Sequence, residues 1–458
     1  MTKNNLLLPS IFLMILHLAC GIVDPSSDVK KVIWQKSDSP ILITERFLVK
    51  KGQTLLIEPG VEVKLKALDQ QGNLGWLHIQ GTLIAEGSKE DSIRFTRQGD
   101  VGRWGRILFD GSKNVTNSLK YCKIEHSSSQ GRTNETPSLN GLVTFYESHG
   151  TLSNTALKGQ GQGVVINCTK SSDLVIEENE IDGDEGHIGI SVQESSDILV
   201  HGNIIDSFET GISSFGNTGL VISGNTISGS RDYAIKVLDK EETVVTQNII
   251  SGGNTGIFCE TNTMTDISSN KISNCWRGIW LSPNSDSKII NNEIKHCDQG
   301  IACFESSPII IGNLIVGLNL NNHAAISLTD SSNALIANNT ISTHIYGIFA
   351  AFGANPQITN TLIMCPNPIS SQSALPTLSY SLIENGRLLG PITVEDNNIL
   401  GADPVVVSVA EGNYRLTQGS PCIDAGNSAI NNLPALDIDG NDRIQGSSID
   451  IGAFEYQN

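Results

Sequence analysis

Short apolar runs of three to five residues recur through the middle of the chain, and turn-forming residues part them. One stretch reads Gly278-Ile-Trp-Leu, then Ser, Pro, Asn and Asp, then Lys288-Ile-Ile, then Asn292, then Glu293-Ile-Lys-His296. The runs are β-type, and Pro, Asn, Ser, Asp and Gly between them favour tight bends. The pattern repeats. Asn stands at 154, 179, 203, 225, 248, 270, 292, 313, 339 and 360, and from Asn179 onward an Ile or Leu follows two places later. A second series interlocks with it: Gly189-Ile190, Gly211-Ile212, Gly256-Ile257, Gly278-Ile279, Gly300-Ile301 and Gly347-Ile348. Ala234-Ile235 and Ala325-Ile326 take the same place.

A fixed period of this kind means one unit stacked on itself. Three short strands in each ~22–23 residues make one triangular coil, paired in parallel with the next at about 4.8 Å. About 13 to 15 coils then form a rod on the order of 65 Å long. The repeated Asn falls in the bend between the second and third strands. There it can cap the turn, adopt a left-handed backbone and bond to the Asn one coil away. The Ile after it points inward. A leucine-rich repeat shares the period and an invariant Asn, but its L-x-x-L-x-L frame is missing and no segment favours a helical side. The expected fold is all-β, a parallel solenoid of three strands per coil.

The ends carry further text: Gly52-Gln-Thr-Leu-Leu-Ile-Glu-Pro-Gly60, Gly81-Thr-Leu-Ile-Ala-Glu-Gly87, Ile93-Arg-Phe-Thr96 and Trp104-Gly-Arg-Ile107 near the N-terminus. Near the C-terminus stand Ser420-Pro-Cys-Ile-Asp-Ala-Gly426, Asp437-Ile-Asp-Gly-Asn-Asp-Arg443 and Asp450-Ile-Gly-Ala-Phe-Glu455. With the central repeat, these resemble the right-handed parallel β-helix proteins of the pectin-lyase-like fold, in particular exported bacterial members with a closing module. The expected organisation is a signal at 1–21, a tether at 22–28, an N-terminal cap at 29–66, the β-helix at 67–396 and a C-terminal cap at 397–458. Caps are expected because an open stack exposes unpaired strand edges.

The first residues read as an export signal: Lys3, an apolar core from Leu6 to Leu18, then Ala19-Cys20-Gly21. The core is too short to span a bilayer comfortably. Two processing routes fit. Leu16-His17-Leu18-Ala19-Cys20 resembles a bacterial lipoprotein signal, which would lipidate Cys20 and anchor the protein to a membrane, although His17 stands where an aliphatic residue is usual. Alternatively, cleavage after Gly21 would release the chain. The expected location is the outer membrane and cell surface, or the exterior.

The formal net charge of −18 argues against a nucleic-acid partner. Of nine cysteines, Cys275 and Cys297 occupy equivalent places in adjacent coils and Cys259 and Cys303 another place two coils apart. Buried thiols and a Cys275–Cys297 disulfide both fit.

The exposed strand face follows from alternation. With Ile190 and its equivalents inward, the next residue faces out: Ser191, Ser213, Lys236, Phe258, Trp280, Ala302, Ser327, Phe349. A second outward column holds Gln193, Phe215, Leu238, Glu260, Ser282, Phe304, Thr329, Ala351. Phe215, Phe258, Trp280, Phe304 and Phe349 thus gather on one face of a chain that is only 5% aromatic. Such a face suits stacking on sugar rings or a partner protein, and equally suits cover by neighbouring loops.

Lys236, Glu260 and Arg277 fall in neighbouring coils there. A lyase acting on uronic-acid polymers needs a base for the sugar C5 proton and a cation for the carboxylate. Lys236 and Arg277 are the candidates, with Glu260 or Asp239 as holders of Ca2+. The resemblance also supplies a test. The hydrolase motifs N-T-D, D-D, G-H-G and R-I-K are absent; His187 sits in Gly-His-Ile and Arg106 in Arg-Ile-Leu. The epimerase D-P-H-E is absent, Asp403-Pro404 being followed by Val405, and so is the pectate lyase W-I-D-H. A pair of hydrolytic carboxylates is not assigned.

The acidic run Glu177 to Glu185 and the Asp437, Asp439, Asp442 cluster each admit a Ca2+ reading beside a structural one. The latter lacks the EF-hand order, and in its structural reading Arg443 pairs with a carboxylate. His126, His149, His187 and His296 show no metal spacing. The expected function is surface binding of a polysaccharide or a cell-surface protein through the flat face, without catalysis. The alternative is a polysaccharide lyase or related enzyme.

Overall fold

The computed structural model describes residues 30–70, 72–127, 140–159, 163–318 and 323–457. The expected export signal, the tether and Cys20 lie outside the described residues.

The fold is a parallel β-solenoid. One sheet of 16 strands contributes one strand to each coil, from Lys31–Trp34 to Thr393–Val394. The other two faces join into a 29-stranded sheet because Glu180–Gln193 and Ile204–Phe215 run through the bend between them. Pairing is parallel from coil to coil throughout, as in Val244↔Asp266 and Asp266↔Lys288. Among the described residues the helical content is one 3-10 turn, Lys36–Asp38. The β-branched composition and Gly/Asn-rich bends leave no stretch for a longer helix.

The interior is a stack of aliphatic columns. Ile190, Ile212, Ile235, Ile257, Ile279, Ile301, Ile326 and Ile348 form one, and Ile205, Ile227, Ile250, Ile272, Ile294 and Ile315 another. Each fully buried Ile contributes roughly 1.5–3 kcal/mol. The Gly of the dyads is inside as well. A Cβ on Gly278 would lie 2.6 Å from the Gly300 carbonyl oxygen and 2.7 Å from Cγ2 of Ile294. The two sequence series therefore interlock physically, since the Ile of one coil fills the space the Gly leaves open.

The Asn series forms a buried ladder from Asn179 to Asn339. In each joint one Oδ1 accepts both the backbone N–H and the side-chain Nδ2 of the preceding Asn, as between Asn248 and Asn270 at 3.0 Å each. The left-handed backbone belongs to the residue before the ladder position: Glu178, Gly202, Gly224, Gln247, Ser269, Asn291, Gly312 and Asn338. This corrects the reading of Asn154 and Asn360. They are themselves left-handed, with φ of 50° and 48°, and the ladder position beside them is held by Thr155 and Thr361.

Residues 30–66, expected as a cap, are themselves coil. Lys31–Trp34, Ile41–Ile43 and Arg46–Val49 pair in parallel with Thr54–Ile57, Glu62–Lys66 and Trp76–Ile79. At the other end the solenoid continues to Ile399–Leu400. The residues after it pack on the flank of the column. Tyr414, Leu416, Cys422, Ile451, Ala453 and Phe454 form a second core with Leu314, Val316, Leu362, Met364 and Leu382. These last five occupy outward positions of the third strand, which in earlier coils are mostly polar or charged (Glu180, Asp182, Thr226, Ser228), with Ile204 and Ile249 left exposed. Asn338 and Asn360 donate Nδ2 to the carbonyls of Asp450 and Asn427, tying the module to the coils.

Candidate functional site

The exposed face follows the first strand of each coil. Register places Lys236 beside Phe258, Phe258 beside Trp280 and Trp280 beside Ala302, as alternation predicts. Residues before the dyads depart from simple alternation. Because the Gly or Ala is inward and the Ile after it is inward too, the residue preceding the Gly faces out. That column holds Tyr233, Thr255, Arg277 and Gln299. Tyr233 was therefore missed from the sequence, and two consecutive inward positions at the dyad were the signal that could have found it; Trp276, in the turn before Arg277, was missed as well.

Three coils carry a continuous cluster. The Tyr233 and Phe258 rings stack at 4.9 Å between centroids and 29°. Phe258 and Trp280 follow at 4.7 Å and 51°. Lys236 Nζ lies 5.5 Å from the Tyr233 ring and 6.0 Å from that of Phe258. The Arg277 guanidinium lies between two indoles, 3.8 Å from Trp276 and 4.5 Å from Trp280. Its Nε donates to Gln299 Oε1 at 3.1 Å, which fixes the plane of the fork. Trp276 meets His323 edge-on at 6.2 Å. Neither Lys236 nor Arg277 is paired with a described carboxylate. Burial holds the Arg277 guanidinium below its ordinary pKa, and burial followed by Asp232 and Glu260 raises the Tyr233 phenol.

Of the five aromatics expected to form one patch, Phe258 and Trp280 touch. Phe258 is only 6% exposed, buried among its neighbours rather than presenting its ring. Phe215 and Phe304 are exposed but stand four coils apart in their column. Phe349 lies three coils beyond Trp280, ~14 Å at the strand spacing. Ala351, expected to face out, is buried. Glu260 is half-buried at the edge of the cluster.

Asp239, a candidate Ca2+ holder, belongs to the scaffold. Its Oδ1 accepts the backbone N–H and Nδ2 of Asn217 at 2.8 and 3.0 Å, and its Oδ2 the Thr243 hydroxyl at 2.9 Å. It ends a second buried ladder, Ser148, Ser171, Ser195, Asn217, Asp239, in the other bend. Its residue types vary too much for a repeat search to show it. Asp437 is likewise committed, to the backbone N–H groups of Asp439, Asn441 and Glu455. Arg443 is buried, donates to the Gly452 and Ala453 carbonyls and lies 3.7 Å from Glu455, so this loop follows the structural reading. Among the described residues no group of three or more His, Cys, Asp or Glu is placed to hold a metal ion. The eight described cysteines are free, Cys275 and Cys297 included.

Among solved structures, the periplasmic alginate epimerase AlgG is 14% identical, covering 81% of this chain and 84% of its own, with a TM-score of 0.38. The catalytic unit of the GH87 α-1,3-glucanase from Streptomyces thermodiastaticus strain HF3-3 is 14% identical over 77% of this chain and 64% of its own, at 0.43. Pectate lyase Pel9A is 13% identical over 89% of each chain, at 0.25. No curated protein matches the chain. The family model described as "Right handed beta helix region" matches residues 105–229 and 210–363. That span is more than half of the sequence, and the chain belongs to the right-handed β-helix family.

Proposed function

We propose that this is an exported surface protein whose first-strand face binds a carbohydrate chain through the cluster of Tyr233, Lys236, Trp276, Arg277 and Trp280. One observation carries the reading: two cations, two coils apart, lie over aromatic rings and have no carboxylate partner among the described residues. Aromatic rings offer apolar faces to sugar C–H groups. The cations, spread against rings rather than neutralised, offer donors to hydroxyls or acidic groups of the chain. Glu260 stands at the edge as an acceptor. Phe215, Phe304 and Phe349 extend the face as isolated contacts. The N-terminal 21 residues are proposed as the export signal, with Cys20 as a lipid attachment site, and mass spectrometry of the mature N-terminus tests this.

The binding proposal is tested by retention on a glycan array. Retention that is lost in Trp280→Ala supports it, and absence of binding to every neutral and acidic glycan rejects it. Incubation with pectate, alginate and glycosaminoglycans, with and without Ca2+, separates the enzymatic alternative. A rise in the ultraviolet absorbance of unsaturated uronate, abolished in Lys236→Ala, would replace the non-catalytic reading with a lyase using Lys236 as base and Arg277 as carboxylate partner.

A further inference from the structure

We propose that Cys275 and Cys297 are a disulfide-forming pair that ties together the two coils carrying Arg277 and Gln299. The proposal stands apart from any function of the face. Ser273 pairs with Lys295 in the parallel ladder, which brings the next turns, with Cys275 and Cys297, one above the other. The backbone N–H of Asp298 donates to the Cys275 carbonyl at 3.2 Å, so the two turns are in direct contact. Adjacent coils stand about 4.8 Å apart, inside the ~4.4–6.8 Å Cα separation that disulfides span. Both side chains point into the column, 3% and 1% exposed. The Cys275 thiol donates to the Gly252 and Ser273 carbonyls at 3.4 Å each, and the proximity of the two thiols raises the pKa of Cys275 and lowers that of Cys297.

Oxidation proceeds by two thiol–disulfide exchanges, with Cys297 as the first nucleophile. With a small-molecule disulfide such as oxidised glutathione as the oxidant, the Cys297 thiolate attacks one glutathione sulfur. The S–S bond breaks and one glutathione thiolate leaves. Cys275, deprotonated, then attacks the Cys297 sulfur of the mixed disulfide and displaces the second glutathione. Two protein thiols are oxidised, one disulfide is reduced, and the two protons pass to the released glutathiones. Cys259 and Cys303 are kept from the same reaction by the intervening coil, where Leu281 fills their column.

The test equilibrates the fully reduced protein with glutathione buffers of increasing oxidised fraction until the thiol content is constant. It is then quenched in acid, denatured, alkylated with N-ethylmaleimide, digested and read by mass spectrometry. The expected product is a peptide containing Cys275 joined to one containing Cys297, short of two hydrogen atoms, with the other cysteines alkylated. In Cys297→Ser the joined peptide disappears and Cys275 returns to the alkylated set. Full alkylation of both residues at the most oxidising ratio would overturn the proposal. So would Cys297 held only as a glutathione adduct, or Cys275 joined to a different cysteine. The principal reading is made on the unaltered chain, so it does not depend on the variant folding.

Discussion

Asn270 reaches Asn292 twice through one acceptor: its backbone N–H and its side-chain Nδ2 donate to Oδ1 of Asn292 at 2.9 and 3.0 Å. Its Nδ2 also donates to the carbonyl of Val245, one coil back. Each ladder Asn thus links three coils, its side chain satisfying backbone groups of the coil before it and meeting the side-chain oxygen of the one after, in a bend where water has no access. An unpaired buried polar group costs about 1–3 kcal/mol, so the ladder explains why Asn recurs where an aliphatic residue would pack equally well.

Asn270→Ala is expected to destabilise the solenoid by about 2–3 kcal/mol, because it strands the backbone N–H of Asn248 in the buried bend and removes one of the partners of Asn248 Nδ2 and of Asn292 Oδ1. Asn270→Thr should cost less, since Thr155 fills the equivalent place with a hydroxyl. Denaturant unfolding of the three proteins side by side checks the order.

Trp280 and Phe258 should separate binding from stability. Trp280→Ala removes a ring that faces solvent and Arg277, and is expected to weaken glycan retention by about thirtyfold, ~2 kcal/mol, with little change in melting. Phe258→Ala empties space beneath Tyr233 and Trp280, so a lowered Tm should accompany any loss of binding. Titration calorimetry paired with thermal melts distinguishes the two patterns.

Leu362 is fully buried, but in the flank core rather than inside the column. Leu362→Lys places a charge there, at a cost of several kcal/mol, and should release the C-terminal module while leaving the coils folded. Limited proteolysis then cuts within the segment from 404 to 456 and spares the solenoid.

The module should also loosen as pH rises. Burial pushes the Glu455 carboxyl up to about 8; Asp450 and Asp437 add to this and Arg443 opposes it. Between its ordinary value of 4.5 and about 8 the folded state keeps a proton that the unfolded state has released. Docking is therefore strongest below that window and is weakened progressively through it. Hydrogen exchange of the backbone around 437–456 across this range measures the effect, and Glu455→Gln should flatten it.

Much of this was legible from spacing alone. The Asn and Gly-Ile series imply three strands per coil, parallel stacking and the inward Ile columns, because a repeated residue meets copies of itself in a solenoid and its environment follows from its own chemistry. The placement of Lys236 beside Phe258 and Trp280 followed in the same way. Where the text of the repeat changes, that argument weakens. Thr155 and Thr361 replace Asn at two rungs, and the nearest Asn was then read one place out of register. Strands near the N-terminus have the same geometry with a different vocabulary, so they read as a cap.

The sequence by itself determined the architecture, since hydrophobic period and turn chemistry act locally and repeat. Tertiary structure decided which exposed residues gather into one cluster. Phe215, Phe304 and Phe349 share a face with Trp280 yet lie coils away, whereas Tyr233 reaches it because two successive residues at the dyad turn inward, and Trp276 because it sits in the turn against the Arg277 guanidinium. It also placed the last fifty or so residues on the flank. That docking depends on apolar residues at outward positions of distant coils, and no local pattern records which surface a separate segment will cover.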